Sequence, residues 1–99
     1  MEILFKLGIN PNAIDHLDRT IWKAIRLLDE IWDKHTPLII TSTTEGNHTT
    51  GSKHYYREAI DIRKQNFMTT NWLEKAKTTL GDNYLLIDEG DHIHLQTRN

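Results

Sequence analysis

The chain has 99 residues, 37% of them hydrophobic and 26% charged, which is the size and balance of one folded domain spanning 1–99 and neither a disordered nor a membrane composition. Its net charge is −2 and it has no long basic run, so the electrostatic footprint of a nucleic-acid binder is missing. It has no cysteine, which excludes disulfides, thiolate zinc sites and thiol nucleophiles.

In chain order, Ile3 to Leu7 reads as a short strand. This N-terminal segment has no basic stretch followed by a long apolar one, so no signal peptide is expected. No later run approaches the roughly 18 apolar residues that span a membrane. Asn10-Pro11 suits a helix start, because Asn is a good N-cap and Pro fits the first helical position. Ile14, Leu17, Ile21, Ile25, Leu28 and Ile31 then recur at three- and four-residue spacing, predicting a helix of about five or six turns. It should stop near His35, because the residue before Pro37 avoids the helical region.

Leu38, Ile39 and Ile40 form a short apolar run within a predicted buried strand, Pro37 to Thr41. Ser42 to Lys53 is rich in Thr, Ser and Gly and reads as a long loop, a class of segment that often carries function. Tyr56 to Arg63 reads as a strand with Ile60 and Ile62 on one face and Asp61 on the other. A second helix is predicted over Thr70 to Leu80, stopped by Gly81. The chain ends in a hairpin: Tyr84 to Asp88, a Glu89-Gly90 turn, then Asp91 to Thr97, where Ile93 and Leu95 alternate with His92, His94 and Gln96. Together these elements predict an α+β fold: a small, mainly antiparallel sheet with two helices packed on one face and a polar cleft on the other.

The polar face is where chemistry would sit. Two strands place Asp61, His92 and His94 there, and the long loop brings His48 and His54 to its border. Imidazole and carboxylate are the ligands of catalytic zinc, which keeps one position open for water. An acid near the ion can then take a proton and pass it to a leaving amine. His16 and His35 read as surface residues on the first helix or at its end. His48 fits a substrate contact and a solvated loop residue equally well.

Two motifs in this order resemble the zinc peptidases of the D-alanyl-D-alanine carboxypeptidase and hedgehog type, and most closely their small phage and prophage members, which include endolysins that cut L-alanyl-D-glutamate bonds. The first motif, Ser-x-His-x6-Asp with Ala two before the Asp, stands here as Ser52-Lys53-His54 and Ala59-Ile60-Asp61. The second, an acid three residues before the last histidine, stands as Asp91-His92-Ile93-His94. The resemblance runs from about Pro37 to Gln96. It implies a hedgehog/DD-peptidase-like fold with a zinc cleft on the open face, and one Zn2+ per chain held by His54, Asp61 and His94. It also implies Asp91 as general base and acid, His92 beside the site, and Ser52 in the loop or on the substrate.

Two departures stand out. Many relatives have Gly three residues after the first zinc histidine, where this chain has Arg57. Many carry an arginine for the substrate carboxylate in the loop after the first core strand, and Thr41 to Ser52 contain none. Arg57 or Arg63 could substitute in binding substrate. Glu89 with His92 is a competing acid–histidine pair, spaced like Asp91 with His94.

The resemblance implies a zinc metallopeptidase acting on the stem peptide of peptidoglycan; charge and hydropathy give no nucleic-acid partner and no membrane segment, and a monomer is expected. Without a signal peptide it would reside in the host cytoplasm before release, or in a phage virion, and act on the cell wall. The alternative is a zinc-binding recognition module of the same fold without turnover, such as a virion component.

Overall fold

The computed structural model describes residues 1–9, 17–43 and 59–98. Its elements in order are β1 (Ile3–Phe5), α1 (Arg19–Asp29), β2 (Leu38–Ser42), β3 (Ala59–Arg63), α2 (Thr70–Leu80), β4 (Tyr84–Asp88) and β5 (His92–Thr97). The architecture is mixed α+β: one five-stranded sheet, ordered β1-β2-β3-β5-β4, with two helices. β1 and β2 run parallel; the other three pairings are antiparallel. Parallel neighbours need a crossover, and α1 lies in the segment between them.

Alternation decides which face of the sheet is buried. Leu38 and Ile40 of β2, Ile60 and Ile62 of β3, and Ile93 and Leu95 of β5 are all buried. They join one core with Ile21, Ala24, Ile25 and Leu28 of α1 and Leu73, Ala76 and Leu80 of α2. Both helices therefore cover the same face. An aromatic trio closes one end: the rings of Trp32, Phe67 and Trp72 meet edge to face, with centroids 5.0 to 5.7 Å apart. Trp72 Nε1 donates to the carbonyl of Ile31 at 2.9 Å, tying α2 to the turn after α1, and the Tyr84 hydroxyl donates to that of Thr20 at 2.8 Å, tying β4 to α1.

The first helix is shorter than its periodicity predicts. The proposed start at Asn10-Pro11 lies outside the described residues, but Asp18 is extended (φ −62°, ψ 145°) and caps a helix that begins at Arg19. Its carboxylate accepts from the Thr20 amide at 2.8 Å, occupying one of the orphan donors of the first turn. Leu17 is buried without being helical, so the apolar stripe runs on past the helix end. At the other end α1 stops at Asp29 rather than near His35. Ile31 and Trp32 donate to carbonyls three residues back, and Trp32 Nε1 donates to the Thr36 carbonyl at 2.7 Å. Tightened turns and a side-chain clamp thus replace the last predicted helical turn.

β1 ends at Phe5 rather than Leu7, because the chain turns at Gly8 (φ 97°). α2 occupies the predicted span, capped by the Thr69 hydroxyl and ended by Gly81 at φ 81°. In the hairpin, residues 89–91 connect the strands, with Gly90 at φ 99° and its amide donating to Asp88 Oδ1 at 3.0 Å. Tyr56, predicted to open β3, lies outside the described residues, which enter that strand at Ala59. Among the described residues, no helix is long and apolar enough to cross a membrane.

Candidate functional site

β3 and β5 are adjacent, and their register sets the site. Asp61 lies directly opposite His94, and Arg63 opposite His92. Their neighbours Ile60, Ile62, Ile93 and Leu95 point into the core, so these four face away from the helices. The tight hairpin then folds Glu89 and Asp91 back beside the two histidines.

His94 and Asp61 form the centre. His94 Nδ1 is 3.0 Å from Asp61 Oδ1, and the two side chains are only 13% and 15% exposed. The other ring nitrogen, Nε2, is 2.6 Å from Gln96 Oε1. Both nitrogens therefore face oxygen acceptors, which favours the doubly protonated ring. The pKa of His94 is raised above the ordinary imidazole value, first by the hydrogen bond to Asp61; burial opposes this, and Gln96 adds to the rise.

His92 sits alongside. Its Nδ1 is 2.6 Å from Asp91 Oδ1, while its Nε2 lies 3.8 Å from Glu89 Oε1 and 4.0 Å from Asp61 Oδ2. Its pKa is also raised, chiefly by the bond to Asp91, and the same bond lowers the pKa of Asp91. Glu89 Oε1 stands 3.8 Å from His94 Nδ1 as well, so this carboxylate faces both imidazoles. Asp91 differs in position: its side chain is 93% exposed and reaches His92 from the outer side.

With both rings neutral, Asp61, Glu89 and Asp91 put three negative charges around two imidazoles. The repulsion is relieved by protons on the rings or by a cation among the donors. Asp61, Glu89 and His92 offer ligand atoms within 4.8 Å of one another. Nitrogen and carboxylate oxygen are donor types that zinc accepts, although such groupings that include an exposed acid are common without an ion. Gln96 holds Nε2 of His94 and Asp91 holds Nδ1 of His92, which leaves the other nitrogen of each ring toward Asp61.

Of the residues singled out in the sequence, Asp61, His92 and His94 come together, and Asp91 joins through His92. His48, Ser52, His54 and Arg57 lie outside the described residues. The contribution of Gln96 was not foreseen, although its place two residues after His94 puts both on one face of the strand. Comparison of the chain with protein-family models, curated proteins and solved structures gives no match.

Proposed function

We propose that this chain is a zinc-dependent peptidase hydrolysing peptide bonds of bacterial peptidoglycan, like the D-alanyl-D-alanine carboxypeptidases or L-alanyl-D-glutamate endopeptidases, on a hedgehog-type scaffold. The observation that carries this reading is the convergence of Asp61, Glu89, His92 and His94 on the sheet face away from the helices. In the proposed site His54, Asp61 and His94 hold the ion, one per chain. Bound there, zinc supplies Lewis-acid polarisation of the scissile carbonyl and makes a water acidic enough to react at neutral pH.

The chain's own acids manage the proton. Glu89 is the better-placed carrier, because its carboxylate faces both imidazoles; it would take the proton from water and return it to the leaving nitrogen. Asp91, the base implied by the sequence motif, instead anchors His92. Comparing Glu89→Gln with Asp91→Asn tests this assignment. Turnover lost only in Glu89→Gln, with zinc retained, supports it; turnover lost only in Asp91→Asn returns the role to Asp91.

The proposed partner is the peptidoglycan stem peptide, met by a monomer made in a host cytoplasm or carried in a virion. The decisive experiment combines metal analysis of untagged protein with a digest of purified peptidoglycan. One zinc per chain, lost in His54→Ala and His94→Ala, together with release of D-alanine or new amino groups, supports the reading. No zinc in the wild type after zinc is supplied sinks it. A second reading, a zinc-binding recognition module, gains from the outward position of Asp91; it is favoured if zinc binds and no product forms.

A further inference from the structure

We propose that the exposed side of α1 is a docking surface for a phosphodiester polymer of the cell wall, of the polyol-phosphate kind, held by Arg19, Lys23 and Arg26. Together with Asp18 and Thr20, these three line an open cleft of about 440 Å³. Only the source of the polymer rests on the peptidase reading.

The stripe works against its own helix. Arg19, Lys23 and Arg26 are all exposed and stand four and three residues apart, within an arc of about 60° on one side of α1. Like charges at these spacings repel and weaken a helix. The first turn carries no acid, and Arg19 sits there at the positive end of the helix dipole. None of the three makes an ion pair among the described residues. Asp29, three residues after Arg26, is bound to the N-terminal ammonium at 2.8 Å. Glu30, the next acid, forms no ion pair among the described residues and lies outside the cleft. Asp18 is the one acid of the cleft, and its carboxylate is turned to the amide and hydroxyl of Thr20, at 2.8 and 2.6 Å. Cations that repel one another without relief inside the fold point to an anion outside it.

Spacing and surroundings select that anion. Arg19 and Lys23 are about 6 Å apart along the helix axis, and Lys23 and Arg26 about 4.5 Å. A glycerol-phosphate repeat has six backbone bonds; three such bonds span roughly 3.5 Å when extended, so its phosphates recur at roughly 7 Å, a mismatch that long side chains absorb. Arginine takes a phosphate through parallel N–H donors, and Lys23 adds a point charge. A bilayer fits less well. The apolar stripe of α1 is buried in the core, and the exposed large apolar side chains among the described residues, Leu4, Leu7 and Ile87, all lie on other segments. A nucleic acid also fits less well, because the one aromatic ring of α1, Trp22, packs against the core and offers no platform for a base. The helices cover one face of the sheet and the acid–histidine cluster lies on the other, so a polymer on α1 leaves the cluster open.

The test is a titration of the full chain, free of zinc, with a glycerol-phosphate oligomer, followed by calorimetry and NMR. Wild type should bind with shifts confined to α1, and log affinity should fall with log salt at a slope of about −2, as for three phosphates of a single strand. Arg19→Gln, Lys23→Gln and Arg26→Gln should each reduce that slope by about 0.7, whereas Lys75→Gln on α2 should bind as wild type does. The three stripe substitutions should leave the melting temperature no lower, because repulsion is relieved. No binding of the oligomer, or a slope that the substitutions leave unchanged, overturns the surface. A melting temperature lowered by all three gives the stripe a structural reason and overturns it as well. Tighter binding of vesicles made of equal parts phosphatidylglycerol and phosphatidylcholine, or of an oligothymidylate, replaces the polymer by a bilayer or a nucleic acid. Binding of the oligomer by a protein that takes no zinc and forms no product upholds the surface while the peptidase reading fails; turnover without binding does the reverse.

Discussion

His94 is held from both sides of its ring, by Asp61 and by Gln96, and this has a measurable consequence for pH. Its folded pKa is raised above 6.5, the ordinary value. The stabilisation from its charged form is therefore complete below the ordinary value and is lost as pH rises through the raised one. Metal-free protein should melt at a lower temperature at about pH 8.5 than at about pH 6, and Asp61→Asn should flatten that difference. A pH-independent melting temperature in the wild type would contradict the pairing. In the proposed site zinc would compete with protons for the same ring, so its affinity should fall as pH falls. Gln96→Leu should weaken zinc binding by about 10- to 100-fold in a chelator competition while leaving the fold intact, because the ring loses the partner that orients it. Strand alternation made Asp61, His92 and His94 legible as residues of one face. Glu89 was legible as a competing acid from its three-residue spacing to His92, whereas the part of Gln96 was not, since it depends on ring orientation rather than on spacing.

At the scale of elements, α2 was readable from its apolar side and the stop at Gly81, whose positive φ ends the helix; the Thr69 cap at its start is a finding of the structure. α1 was overread. Its apolar stripe includes Leu17, which packs in the core from outside the helix, and Ile31, which packs against the core after it. Periodicity records which residues face the core; it does not say where helical hydrogen bonding stops. Asp18 supplies that stop, and Asp18→Ala should cost about 0.5–2 kcal/mol in urea unfolding. The β4–β5 hairpin was read from its turn and its alternation, and Leu95 is its most deeply placed side chain, at 0% exposure. Leu95→Ala should destabilise by about 2–5 kcal/mol, several times the effect of the cap.

For the whole molecule, the α+β class and the coverage of one sheet face followed from pattern, while the parallel β1–β2 pairing did not, because strand direction depends on how α1 crosses the sheet. A domain of 99 residues has a thin thermodynamic margin, so an ion bound only by the folded chain should matter. Zinc at one hundred times its dissociation constant would add about 2.7 kcal/mol, raising the melting temperature by roughly 10–20 °C, and EDTA should reverse it. A calorimetric scan unchanged by zinc or EDTA would argue against a specific site. The register between β3 and β5 also sets an order of events in folding. Glu89 and His92 are neighbours in the chain and meet as soon as the hairpin turns, whereas Asp61 and His94 are 33 residues apart and meet only when the centre of the sheet closes. A nascent hairpin would offer the ion only His94 of the proposed ligands, and Asp61 joins it when β3 pairs with β5. Tight metal capture in a stopped-flow refolding trace should therefore lag behind hairpin formation and coincide with pairing of β3 and β5, making the ion a marker of that closure rather than a template for the hairpin.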